Sequence, residues 1–135
     1  MVLVWSWRKC SSMKKLWLML TVLGLGLLSW RQGNAIPEEL DPLKVVPETH
    51  KLVFENQFVR VLEVTVPVGR VEPWHKHARR VVVDLNDFTT RSTERGGQPK
   101  ESSRKAGSVR WSDAVIHQVE NIGKTEGHAY SIELK

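Results

Sequence analysis

A chain of 135 residues, 41% of them hydrophobic and 26% charged, has room for one packed domain and little more. Five of its 20 basic residues, Arg8, Lys9, Lys14, Lys15 and Arg31, lie within residues 1–35, which hold no acid; the remainder carries 15 groups of each sign, so the net charge of +5 belongs to the leader. A neutral remainder argues against nucleic-acid binding, and the single cysteine, Cys10, lies in the leader, which excludes disulfides and Cys-ligated zinc from residues 36–135.

Leu16 to Trp30 is an uncharged apolar run, preceded by Lys14 and Lys15 and followed by Gly33-Asn34-Ala35. A basic segment, a short apolar core and small residues at the −3 and −1 positions read as a secretory signal peptide cleaved after Ala35, with Met13 as a candidate start. The run is shorter than the roughly 20 residues a bilayer span needs. The expectation is an exported protein, periplasmic or secreted, with contact to a membrane only if this hydrophobic helix stays uncleaved.

Residues 36–50 carry Pro37, Pro42 and Pro47. Proline fixes φ and pushes its predecessor to extended geometry, so this segment reads as an extended arm, and His50 at its end is given no role. From residue 51 to residue 135 the pattern is one of short strands: 51–55, 57–66, 74–77, 79–85, 88–93, 108–111, 115–121 and 128–134. Gly- and Pro-bearing turns separate them, including a hairpin loop at Arg95-Gly96-Gly97-Gln98-Pro99. No stretch holds a helical apolar period over ten residues, and short strands at regular spacing indicate an all-β sandwich or barrel. The basic excess between Arg79 and Arg110 reads as a solvated, loop-rich face in preference to an anion site.

His75-Lys76-His77 is the informative element, because strand residues i and i+2 project to one face. Counting onward by two gives Arg79, Val81, Val83 and Leu85, a largely apolar and therefore inward set. His117 shares its parity with Val115 and Val119, so three imidazoles point inward from two strands. A single inward histidine is as a rule a hydrogen-bonded core residue. Three together suit one face of a metal ion and leave the opposite positions open.

These residues resemble the cupin superfamily. Its first motif, Gly-x5-His-x-His, is matched by Gly69-Arg-Val-Glu-Pro-Trp-His75-Lys-His77. Its second runs from a glycine through a turn to His-x3-Asn. Gly107 to Asn121 is similar, with Asp113 and Val115 where Pro and Gly are usual. The flanks Phe54 to Val64 and Val119 to Gly123 look like those of small single-domain cupins, and the likeness covers roughly residues 50–135. The resemblance implies a jelly-roll barrel with a divalent metal in its mouth, held by His75, His77 and His117. It also implies a glutamate in the first motif, after three or four intervening residues beyond the second His. Val81 and Val82 occupy those positions, with Val81 on the inward parity.

A site of neutral imidazoles alone favours Fe²⁺ or Zn²⁺, with Ni²⁺ and Cu²⁺ as alternatives, over hard oxygen-preferring ions, and favours an anionic ligand in the open positions. His128, Tyr130, Val81 and Trp111 are candidate pocket or supporting residues, Trp74 a pocket or core aromatic, and Glu72 and Tyr130 the only acid–base candidates. Two functions fit: a metalloenzyme of dioxygenase type acting on a small molecule, or a non-catalytic module that binds a metal or small ligand. An unpaired barrel edge, with the arm at 36–50, suits a homodimer.

Overall fold

A computed structural model describes residues 38–135; the leader and the signal-peptide reading lie outside the described residues. Nine antiparallel strands form two sheets: β1 (His50–Glu55), β2 (Val59–Val66), β3 (Val71–His77), β4 (Arg80–Asp84), β5 (Phe88–Glu94), β6 (Lys100–Arg104), β7 (Val109–Ser112), β8 (Val115–Asn121) and β9 (Gly127–Leu134). One sheet has the order β1-β2-β9-β4-β7, the other β3-β8-β5-β6. The chain crosses from the second sheet to the first between His77 and Arg80, so side-chain parity does not carry over from β3 to β4.

Two elements differ from the sequence reading. The expected extended arm contains a 3-10 turn at Glu38–Leu40 and a short helix, α1 (Pro42–Val45). Asp41 caps α1, its Oδ1 accepting from the Leu43 N–H at 3.0 Å, with Pro42 at the start of the helix. Asp-Pro is a helix-start signal that the proline spacing masked. Strand β6, Lys-Glu-Ser-Ser-Arg, has no apolar residue to reveal its alternation. It is defined by pairing to β5, with Phe88 opposite Arg104 and Ser92 opposite Lys100.

The two motif glycines turn the chain where β-carbons are disfavoured: Gly69 has φ 75° and Gly107 has φ 78°. Asn121, fully buried at the end of β8, ties three segments together. Its Nδ2 donates to the carbonyls of Val66 at 2.8 Å and Thr125 at 2.9 Å, and its Oδ1 accepts from the Gly123 N–H at 3.0 Å.

The buried apolar core is small: Val46, Leu62, Val66, Ala78, Val82 and Ala129. Most of the other fully enclosed groups are polar, among them Glu72, His75, Asp84, Asn121 and Glu133. Such an interior is stable only if those groups find partners. Asn121→Ala strands three backbone groups, and the expected loss is about 2–4 kcal/mol in urea unfolding; a loss below about 1 kcal/mol would show that the clamp is dispensable.

Candidate metal centre

Strand β3 carries an irregularity between Glu72 and His75, where its pairing with β8 shifts register. A bulge inserts a residue and resets parity. Glu72, three positions before His75, therefore faces the interior together with His75 and His77, while Pro73 and Trp74 are pushed outward. The bulge also aims a carbonyl. His75 Nδ1–H donates to the Pro73 oxygen at 2.8 Å, which leaves Nε2 as the bare lone pair.

His117 lies directly opposite His75 in the β3–β8 register. Its ring centroid is 4.7 Å from that of His75 and 5.3 Å from that of His77, and its Nδ1 shares a hydrogen bond with the Ser92 hydroxyl at 3.2 Å. His77 Nδ1–H donates to Glu133 Oε1 at 2.5 Å. The Nε2 atoms of His75 and His117 are buried and have no hydrogen-bond partner among the described residues. Enclosed imidazoles held at Nδ1, with an Nε2 lone pair that no hydrogen bond uses, suit a cation.

The structure adds a fourth imidazole. His50 opens β1 opposite Val64, a residue of the cavity wall, and so points inward. Its ring lies 5.3 Å from those of both His75 and His77. His50, His75 and His77, all buried, can hold a metal ion: one ligand atom from each lies within 4.8 Å of the others. Beside them is Glu72, with Oε1 3.6 Å from His50 Nδ1 and Oε2 4.0 Å from His75 Nε2. Thr49 holds that carboxylate through its hydroxyl. The cluster opens into a cavity of about 790 Å³.

Compared with known protein-family models and with curated proteins, the chain has no match. Solved structures do match. A cupin domain from Bordetella pertussis Tohama I aligns with a TM-score of 0.58 at 27% identity, over 64% of this chain and 91% of that one. An RmlC-like cupin with a double-stranded β-helix fold, from Methanocaldococcus jannaschii, aligns with a TM-score of 0.52 at 12% identity, over 77% and 84%. The barrel has the cupin fold that these small domains share.

Several expectations change. Val81 does not face the cavity. Because β4 belongs to the other sheet, its inward residues are Arg80, Val82 and Asp84, and Val82 is the apolar group on the inward side. A carboxylate is nonetheless present at the cluster, supplied by Glu72 on the bulge of β3. On β9 the inward set is Ala129, Ser131 and Glu133. His128 and Tyr130 take the other face, where His128 Nε2–H donates to Glu63 at 2.9 Å, so neither lines the cavity. Trp111 borders the cavity but is 52% exposed, its indole N–H bonded to Asp113. Trp74 is 36% exposed.

Burial holds all four imidazoles of the cluster below their ordinary pKa. His50 is pushed from 6.5 to about 3, by burial first and then by His75, Arg80 and Arg60. His75, His77 and His117 are lowered chiefly by burial. Burial raises Glu72 and Glu133, against the pull of Arg70 on the first and of Arg60 and Arg80 on the second. Below about pH 6.5 the unfolded chain therefore takes up protons that the folded cluster refuses, and acidification removes stability. The two carboxylates act in the opposite sense, and four histidines outweigh them. The melting temperature of the metal-free protein is expected to fall between about pH 7 and pH 5; a melting temperature that stays level or rises would contradict a neutral, buried cluster.

Proposed function

We propose that this chain is an exported cupin that holds one divalent metal on its buried imidazoles and presents it to a small molecule in the cavity. The carrying observation is the pair of buried Nε2 atoms on His75 and His117 that make no hydrogen bond among the described residues, within a cluster whose Nδ1 atoms are held by Pro73, Glu133 and Ser92. His75 and His77 are the shared members of the site; His50 and His117 flank them, and Glu72 is the carboxylate within reach. Imidazole donors suit Fe²⁺ or Zn²⁺, and next Ni²⁺ or Cu²⁺. Such an ion would supply Lewis-acid activation, and iron would add oxygen chemistry of dioxygenase type. The chain's own part is to keep the imidazoles neutral, orient them and shield one side of the ion within the barrel.

The second reading is a binding module without turnover. Of the two acid–base candidates the sequence offers, Tyr130 is on the other face and Glu72 is engaged by Thr49. The signal-like leader supports export. Exposed Leu52, Val53 and Phe54 on the edge strand β1, with Phe58 after it, support a homodimer along that edge.

Metal analysis of protein purified without chelators, then reconstituted with Fe²⁺ or Zn²⁺, is expected to give about one ion per chain, lost in His75→Ala. Comparing His50→Ala with His117→Ala identifies the third ligand. Glu133→Gln, which keeps the shape but removes the charge behind His77, is expected to weaken metal affinity about 10–100-fold. No metal bound with either ion, or metal content unchanged in His75→Ala, would remove the reading.

A further inference from the structure

The wall of the cavity formed by β4, β6 and β7 is strongly basic. Arg80 on β4, Arg110 on β7, and Lys100 and Arg104 on β6 all line it, so both sheets contribute. The basic excess that the sequence assigned to a solvated face is thus turned inward over part of its length. Arg80 is only 7% exposed, and its hydrogen bond is to the Ala78 carbonyl at 3.4 Å. Its Cα partner across the sheet is Glu133, but that carboxylate is taken by Arg60 Nε at 2.7 Å and His77 Nδ1 at 2.5 Å. Arg110 Nη1 donates to Asp84 at 2.5 Å, and Ser108 uses the same carboxylate at 2.8 Å. Arg104 Nε is buried without a partner among the described residues.

Guanidinium groups therefore outnumber the carboxylates left for them on this wall. The acids elsewhere in the cavity are occupied or distant in the sheet. Glu72 is held by Thr49, Asp113 by Trp111, and Glu94 lies opposite His117 in the β5–β8 register. A buried cation lacking a full set of acceptors is costly, and an anion relieves that cost. Burial depresses the pKa of both Arg80 and Arg104, with Arg110 adding to each while Glu133 opposes it at Arg80 and Asp84 at Arg104, and all three guanidiniums line the one cavity. Arg80 also acts on all four imidazoles, so this wall adjoins the histidine cluster.

We propose that Arg104, Arg110 and Arg80 form an anion subsite, and that the cavity takes a small organic carboxylate with its charged end on these guanidiniums and its other end toward the histidines. The subsite stands without a metal; only the orientation of the ligand's far end rests on the metal-centre reading. Planar guanidinium forks match a carboxylate in geometry as well as charge.

Malonate and its neutral isostere malonamide serve as probes in calorimetric titrations of the metal-free full chain. Malonate is expected to bind and malonamide not. Arg104→Gln is expected to weaken malonate about tenfold. Arg104→Gln removes a group with an unpartnered nitrogen, so it should fold, and its melting temperature checks that. In Arg104→Lys the charge returns without the fork, and partial recovery is expected. Absence of malonate binding, equal binding of malonate and malonamide, or wild-type affinity in a folded Arg104→Gln would overturn the subsite. Because the titration uses metal-free protein, a failed metal reconstitution leaves this result intact, and failure here leaves the metal reading intact.

Discussion

Four neutral imidazoles enclosed in one barrel are the constraint on which the rest of this structure depends. A buried histidine is stable only if its polar nitrogens are accounted for. Here the Nδ1 side of each ring is met by an acceptor or hydroxyl from a different element: the Pro73 carbonyl on the β3 bulge, Glu133 on β9, Ser92 on β5 and Thr49 before β1. The bulge, the β1 start and the strand order serve that need. Remove the bulge and Glu72 and His75 can no longer share the inner face, since three positions along a regular strand lie on opposite sides.

The support extends one layer further. Glu133 holds His77 with one oxygen and Arg60 with the other, and Arg60 Nη1 reaches Asp41 at 2.8 Å. Asp41 is also the cap of α1. The short helix ahead of the barrel is thereby joined to a candidate metal ligand by charge-assisted hydrogen bonds, each stronger than a neutral one. Val46, fully enclosed just after the helix, supplies one of the few buried apolar side chains. This arrangement gives the segment before β1 a structural part that proline spacing alone does not suggest.

What the sequence reveals and what it conceals divide along a physical line. His75-x-His77 and His117 are legible because period-two alternation within a single strand is local, and Gly69 and Gly107 because a left-handed turn demands them. His50 is hidden because its strand begins two residues before the apolar run Leu52–Phe54, and its inward direction depends on pairing with Val64. Glu72 is hidden by a bulge, and Val81 looks inward only when parity is carried across a change of sheet. His128 and Tyr130 look inward only if the apolar parity is the inner one. On β9 the cavity side is Ala129, Ser131 and Glu133, because this interior is built to hold charge. Strand β6 shows the same effect, since Lys100, Ser102 and Arg104 line the cavity and leave no apolar alternation to read.

That polar interior bears on what the cavity can accept. The sequence suggests an all-nitrogen, charge-deficient centre, but Glu72 sets one carboxylate against the imidazoles, and burial together with the Thr49 hydrogen bond contests its charge in opposite directions. A dication on neutral imidazoles with a single carboxylate beside it would still be positive, and Arg80, acting on every ring, adds to that field. Interactions in an enclosed site are screened far less than at a surface. A neutral ligand would leave both the metal and the arginine wall uncompensated, whereas a carboxylate answers both. Selectivity for anions would then be a property of the barrel wall itself, present before any metal binds and reinforced once one does.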